Sequence, residues 1–374
     1  MKLKNIFNFR FRENEVREEN KVAPVVSIDW EAAGTVWEAA HCPVCDREST
    51  TVAFRLLSFG EMLVVLSCKC GSIFYPNASP PDYASEEGEG VFYMRMDQAE
   101  GIDAIIRPLL FSPDIENYSV VDLGCGSGFA VDYLNFVGRN AVGYDPSLSS
   151  QFSRQAFGID IRTLPTQADI ETFPHPNVIF ASEVIEHVPN PKEFMFDVKK
   201  MAGDDGYTFI ATPSAGYVKK GNSEPTINSL MAPSQHLFLL SEKALADLAS
   251  DAKFPWVKTW VESERLFLVA GPKPIRLDNT FTQALFAKYL ESRVKAEWIE
   301  KSLRWRCFGY RLFKHRIHAG EYAESIPIWS GLVEAYGELG LPLDRPAEVA
   351  DLFVAESKVS IGFHSRSVFH SIQQ

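Results

Sequence analysis

The stretch from Tyr118 to Leu134 restricts this chain more than any other, because it sets a geometric problem that an ordinary core strand does not pose. Val120 and Val121 end an apolar run, and Asp122 and Leu123 follow. Gly124-Cys125-Gly126-Ser127-Gly128 then alternates glycine with small residues, and apolar spacing resumes at Phe129, Ala130, Val131, Tyr133 and Leu134. The order predicts a strand, a tight loop and a helix. Glycine allows positive φ and lets a ligand approach where a Cβ would collide, and the free N–H groups of a helix start attract polar or anionic groups. The pyrophosphate fingerprint spaces its glycines G-x-G-x-x-G. Here the glycines alternate and a carboxylate stands just ahead of them. Asp122 repels a pyrophosphate and suits a ligand that carries an ammonium group.

The following segments read as an α/β chain. A helix from Phe129 breaks at Gly138, and Asn140 to Tyr144 form a second strand closed by Asp145-Pro146. An acid at that place, about twenty residues beyond the loop, can accept two hydrogen bonds from a ribose diol; the alternative is an aspartate that starts a turn before proline. A third strand is expected over Ile159 to Thr163. Asn177 to Ser182 is a continuous apolar run of the buried parallel type, and Gly206 to Pro213 is the next strand. The polar excursion from Ser214 to Ser234 is expected to be a structureless, substrate-facing loop. His236 comes next, Ser241-Glu242 begins a helix, and Trp256 to Val261 and Arg265 to Ala270 complete a seven-stranded sheet.

Two blocks carry a resemblance. Val-Val-Asp-Leu-Gly-Cys-Gly-Ser-Gly-Phe from Val120 resembles the first motif of class I S-adenosylmethionine-dependent methyltransferases. Glu183-Val184-Ile185-Glu186-His187-Val188-Pro189-Asn190-Pro191 resembles the fourth-strand motif of their small-molecule members, although Pro176-Asn177 stands where that family commonly has Phe-Asp. The resemblance implies a Rossmann-like seven-stranded sheet and S-adenosylmethionine as cofactor. Asp122, Gly124, Gly126, Gly128, Asp145, Ser182 and Glu183 then line the cofactor site, Asp169 either meets the adenine amino group or is a surface aspartate, and Tyr93 either contacts the cofactor from the amino-terminal side or is a packing aromatic. In-line methyl transfer requires alignment and removal of a proton from the acceptor, so His187 and His236 are the expected bases, the alternatives being a positional His187 bonded to backbone and a structural His236. Two rivals are an NAD-dependent sugar-modifying enzyme, which would also use Asp145 but needs a different glycine spacing, and a non-catalytic adaptor of the same fold.

Cys42-Pro43-Val44-Cys45 and Cys68-Lys69-Cys70, joined by alternating apolar residues, are spaced like the turns of a zinc ribbon. The second pair is one residue short, so Cys68 must reach round, with His41 a possible substitute. Structural zinc, an empty relic of the ribbon and thiol chemistry are the three readings. Cys125 and Cys307 read as small buried thiols. The expected organisation is a terminal arm over 1–37, a ribbon-like module over 38–80, the methyltransferase domain over 81–274 and a helical extension over 275–374.

The basic and aromatic arm from Lys2 to Arg12 is either loosely attached or a contact for a partner or membrane surface. Tyr75 to Gly90 reads as a linker, Met96 to Leu110 as a helix, and Ala284 to Trp305 and Tyr322 to Leu339 as tail helices. In the tail, Arg304, Arg306, Arg311, Lys314, His315 and Arg316 alternate with Trp305, Phe308, Tyr310 and Phe313. That pattern fits a packed helix with wet charges or recognition of an anionic substrate group. A net charge of −12 gives no general attraction to nucleic acid, so a small or neutral substrate is expected. The combination of cysteine-pair ribbon, core and helical tail resembles methyltransferases of sugar, polysaccharide and secondary-metabolite modification, and that resemblance implies a glycan or sugar-nucleotide acceptor. No segment has the length and apolarity of a membrane span or signal peptide, which points to a cytoplasmic chain.

Overall fold

The computed structural model describes residues 27–58, 61–79, 118–233, 235–276, 283–299 and 301–338. Tyr93, the helix expected over Met96 to Leu110, most of the linker and the arm up to residue 26 lie outside the described residues. A small sheet comes first. β1 (Ser27–Asp29) and β2 (Val36–His41) both pair antiparallel with β3 (Glu48–Ser58), which forms a hairpin with β4 (Glu61–Ser67), and β4 pairs with β5 (Ile73–Phe74). Val52, Phe54 and Leu56 on β3 point inward at the period of two that a strand imposes, so this is the hairpin expected between the two cysteine pairs. Ser27–Asp29, placed in the arm on sequence grounds, belongs to this sheet.

The core then runs β6 (Ser119–Leu123), α1 (Phe129–Phe136), β7 (Asn140–Tyr144), α2 (Leu148–Phe157), β8 (Ile161–Arg162), α3 (Gln167–Glu171), β9 (Val178–Ser182), α4 (Pro191–Ala202), β10 (Tyr207–Pro213), α5 (Glu224–Met231), β11 (Phe238–Leu239), α6 (Glu242–Asp251), β12 (Trp256–Glu262) and β13 (Arg265–Gly271). Seven of these strands form one sheet in the order β12-β13-β10-β9-β6-β7-β8, with β13 antiparallel to both neighbours and the other pairs parallel. Apolar layers cover both faces, which is why β9 and β10 read as unbroken hydrophobic runs. From β6 the chain builds outward through β7 and β8, then crosses back to place β9 on the other side of β6. Connections on the two sides of that reversal leave in opposite directions, so a crevice opens beyond the carboxyl ends of β6 and β9.

Three features differ from the sequence reading. Ser214 to Ser234 is not structureless: it holds a short 3-10 turn at Ala215–Tyr217 and the helix α5, whose amino end is capped by the Ser223 hydroxyl accepting from the Thr226 N–H, with Pro225 in its first turn. Those cap signals outrank the polar composition that suggested a loop. β11, for which the sequence reading named no strand, lies outside the large sheet and pairs with β5, so a core segment closes the amino-terminal sheet. The single tail helix expected to reach Trp305 is two helices, α7 (Gln283–Ala296) and α8 (Leu303–Ala319), followed by α9 (Tyr322–Glu338). The break follows from Ser302, which caps α8 by accepting from the Trp305 N–H at 3.2 Å, next to Lys301 at φ 43°.

The tail packs on α1. Arg293 grips Asp132 through two hydrogen bonds of 2.8 Å, Tyr289 donates to the same carboxylate at 2.8 Å, and Trp305 and Phe308 are buried between the elements. Most of the basic cluster serves this packing. Arg304 stands near Asp132 and Glu297, Arg316 pairs with Glu291, and Arg306 and Arg311 are buried. No helix among the described residues is long and apolar enough to cross a membrane.

Candidate functional site

The glycine loop lies between β6 and α1, at the mouth of the crevice. Gly124, Gly126 and Gly128 all have positive φ, but they answer different constraints. A Cβ on Gly124 would lie 2.4 Å from Val184 Cγ2 and one on Gly128 2.7 Å from Ile161 Cδ1, so both glycines allow close packing of the loop on its neighbours. Among the described residues, a Cβ on Gly126 would meet nothing within 4 Å, so the bare backbone is open to that extent.

Asp145, at the end of β7, holds the turn from the side. Its Oδ2 accepts from the Gly126 N–H at 2.8 Å, and its Oδ1 accepts from the Ser147 N–H at 2.8 Å and from the Ser147 hydroxyl. A carboxylate offers about four lone-pair directions, so this leaves acceptor capacity toward the crevice. Asp122 is buried within β6. Burial first, and then the negative charge of Asp145, raise its carboxyl well above the ordinary aspartate range. Two acids close enough for their charges to interact favour a cation beside them. Cys125 fills the space beside Gly143, where a Cβ would come within 2.5 Å of its sulfur, and burial raises its thiol, so it is a packing residue.

Asp169 is exposed and closes a capping box on α3. Its Oδ2 accepts from the Thr166 N–H at 2.8 Å and from the Thr166 hydroxyl at 2.7 Å, and these bonds lower its pKa. Ser182 ends β9, half-buried. Glu183 follows in the left-handed region at φ 57°, its N–H donating to Ala211 O at 2.8 Å and its carboxylate paired with Arg265 of β13. Such a conformation costs a non-glycine residue about 1–2 kcal/mol, so the surroundings impose it.

Behind that bend is a second cluster. Glu186 is fully buried, and its Oε2 accepts from the Thr212 hydroxyl at 2.9 Å. Its Oε1 has no hydrogen-bond partner among the described residues and stands 3.9 Å from His236 Nε2. Burial, and then the charge of Glu183, push the Glu186 carboxyl well above its usual range. His187 uses Nδ1 against Gln235 O at 3.0 Å and His236 uses Nδ1 against Leu230 O at 2.6 Å, which makes each Nδ1 a donor and leaves Nε2 as the basic nitrogen. The two rings meet edge to face with centroids 4.6 Å apart. Burial, followed by the neighbouring His187, pulls His236 down to about 3, so its ring is neutral at ordinary pH. One donor atom from each of Glu186, His187 and His236 lies within 4.8 Å of the others, a set able to hold a metal ion. Sequence reading singled out both histidines but not Glu186, Thr212 or Arg265. Glu186 was visible in its Glu-His pair, whereas Thr212 and Arg265 reach the cluster only through sheet pairing.

The four cysteines converge. Cys42 and Cys45 follow β2, Cys68 and Cys70 follow β4, and their sulfurs lie within 4.8 Å of one another, with 3.9 Å for Cys42 to Cys70 and 3.4 Å for Cys45 to Cys68. Thiolates about 2.3 Å from a tetrahedral zinc stand roughly 3.8 Å apart, so the set fits such an ion. The compressed second pair succeeds because the chain turns tightly there, Gly71 N–H donating to Cys68 O at 2.8 Å. His41 is turned toward Asp46, with Nδ1 3.3 Å from its carboxylate. A hydrogen bond from Cys42 lowers the Cys70 thiol to about 4, and the same bond, with burial, raises Cys42.

Residues 94–258 match the sequence profile of a family described as methyltransferase domain. Among curated proteins, the chain is 29% identical over 104 residues to a ubiquinone biosynthesis O-methyltransferase of Rhizobium johnstonii, covering 26% of this chain and 42% of that one. It is 34% identical over 122 residues to the enzyme of the same name from Parvibaculum lavamentivorans, covering 30% and 45%. The chain thus spans less than half the length of these relatives. Among solved structures, an O-methyltransferase family protein from Burkholderia thailandensis aligns with a TM-score of 0.40 and 13% identity over 52% of this chain and 64% of that one.

Proposed function

We propose that this chain, which carries a class I S-adenosylmethionine-dependent methyltransferase domain, transfers a methyl group from S-adenosylmethionine to an oxygen of a small molecule, with a glycan or sugar nucleotide as the leading acceptor. The observation that carries the reading is the backbone at Gly126, open among the described residues and held by the Asp145 carboxylate, whose charge is felt by the buried Asp122. That arrangement fits an adenosyl group bearing an amino acid and a sulfonium, and it disfavours a pyrophosphate.

Asp122 takes the ammonium, Gly124 to Gly128 present backbone to the amino-acid end, and Asp145 accepts the ribose hydroxyls. Ser182 and Glu183 border the cofactor at the end of β9, and Asp169 serves the adenine amino group while capping α3. Methyl transfer from a sulfonium is an in-line displacement, so the protein contributes alignment and a path for the acceptor proton. His236 is too weakly basic to store that proton. It orients the acceptor hydroxyl through Nε2, and His187, half-buried beside it, takes the proton. The four cysteines hold structural zinc, and a closed four-thiolate site leaves that ion without an open position for chemistry.

Calorimetric titration with S-adenosylmethionine and then with NAD tests the cofactor assignment: heat of binding with the first and none with the second is expected. Scintillation counting of labelled methyl transfer to a panel of sugar nucleotides and phenolic acceptors tests the rest.

A further inference from the structure

The cysteine module and the acceptor-side cluster look like separate parts, yet one short segment of chain binds both. Gln235 to Ser241 is fastened on one side to the cluster: Gln235 O meets His187 Nδ1 at 3.0 Å, and the Leu237 N–H donates to Glu186 O at 2.9 Å. On the other side it is fastened to the ribbon. Tyr75 N–H donates to Leu237 O at 3.1 Å, and Phe238 and Leu239 pair with Phe74 and Ile73. The Ser241 hydroxyl donates to Cys70 O at 2.7 Å, and the Ser241 N–H to Ser72 Oγ at 3.4 Å. A Cβ on Gly71, the residue after the last cysteine, would already lie 3.0 Å from Ser241. The turn that presents Cys68 and Cys70 therefore rests on the segment whose second residue is His236.

We infer that the four-cysteine cluster is a metal-dependent splint for the acceptor side of the site, with β5 and β11 transmitting metal occupancy to the position of His236. The inference rests on the zinc reading above and adds a function to it. β5 is only two residues long and starts three residues after Cys70, so two strand residues alone cannot fix the register of β11. A metal that clamps the Cys68–Cys70 turn to the Cys42–Cys45 turn makes the base of that strand rigid. Without it, the small sheet loses a cross-link and the β5–β11 seam becomes one of the least stable parts of the fold. The glycine loop lies on β6 and β7, whose pairing does not pass through the ribbon. Metal loss therefore loosens the acceptor side and spares the cofactor side.

The test uses the full chain, loaded with zinc chloride or stripped with a chelator, with zinc counted per chain and amide hydrogen exchange followed by residue. On stripping, exchange at Tyr75 and Leu237 is expected to rise about ten-fold while Val120 and Val142 keep their protection, and adding zinc chloride alone restores the first pair. Ser241→Asp keeps an oxygen that caps α6 but cannot donate to Cys70 O, so in that variant the metal-dependent change at Leu237 is expected to shrink about three-fold. Zinc bound with no change at Leu237 on its removal overturns the splint and leaves the zinc site standing. Equal loss of protection across the chain overturns it too. Failure of the full chain to take up added zinc overturns both.

Discussion

The crevice at Gly126 and the cluster around His236 sit at the ends of adjacent strands, and both contain a buried carboxyl raised by burial and by a second acid. They differ in what balances that charge. Asp122 faces Asp145, whereas the Glu183 beside Glu186 is paired with Arg265. The first region is short of positive charge and suits a cationic ligand. The second is already neutralised and suits a neutral polar one. They also differ in how they are built: the crevice comes from one strand-loop-helix-strand run, and the cluster joins residues 183–187, Thr212, His236 and Arg265 from separate segments.

The sharpest way to break this comparison is to remove Asp145, the proposed ribose acid. Asp145→Ala deletes the acceptor for Gly126 and the proposed diol contacts; two charge-assisted bonds of roughly 1.5 kcal/mol each correspond to about a 100-fold loss of S-adenosylmethionine affinity, read by calorimetry. Glycine substitutions divide folding from binding. Gly124→Ala meets Val184 and a strained φ, so roughly 2–4 kcal/mol of stability should be lost in a denaturant titration. Gly126→Ala meets no neighbour among the described residues, so its folding cost should be only about 1–2 kcal/mol, while its effect on cofactor affinity should be larger than on stability.

Glu186→Gln probes the other region. Its folded-state carboxyl is raised, so its contribution to stability is full below the unfolded value and is lost as pH rises through the folded one. Gln keeps the acceptor for Thr212 without the buried charge. The variant should therefore be more stable than the parent by about 1 kcal/mol at neutral pH, the gap should close as pH falls, and methyl transfer should drop. Protonation of Asp122 competes with an ammonium ligand, so cofactor affinity should weaken on acidification at a pH above that of an ordinary aspartate. The smallest effect belongs to Asp169→Asn, which keeps a capping side chain and should cost under about 1 kcal/mol of stability.

The crevice was legible because its information is local: alternating glycines, an acid before them and an acid closing the next strand need only the chain order to be placed. Strand limits such as Asn140–Tyr144 followed from the same apolar periodicity. The cluster around His236, the proposed acceptor side, was legible only in fragments. His187 and His236 stood out as residue types, but nothing near Arg265 marks it as a partner of Glu183, because antiparallel pairing of β13 with β10 brings it there. The polar composition of 214–234 hid α5, whose cap at Ser223 shows only in the structure. The β5–β11 pairing joins two-residue strands that are too short to leave a periodic signal.

The central claim is that Asp122, Gly126 and Asp145 form the seat of a cationic adenosyl ligand, and calorimetric titration of the intact chain and its Asp145→Ala variant with S-adenosylmethionine tests it most directly. Saturable binding to the intact chain, lost in the variant while both proteins remain folded, is the predicted result. Absence of binding to the intact chain, or equal binding by the two proteins, would contradict it.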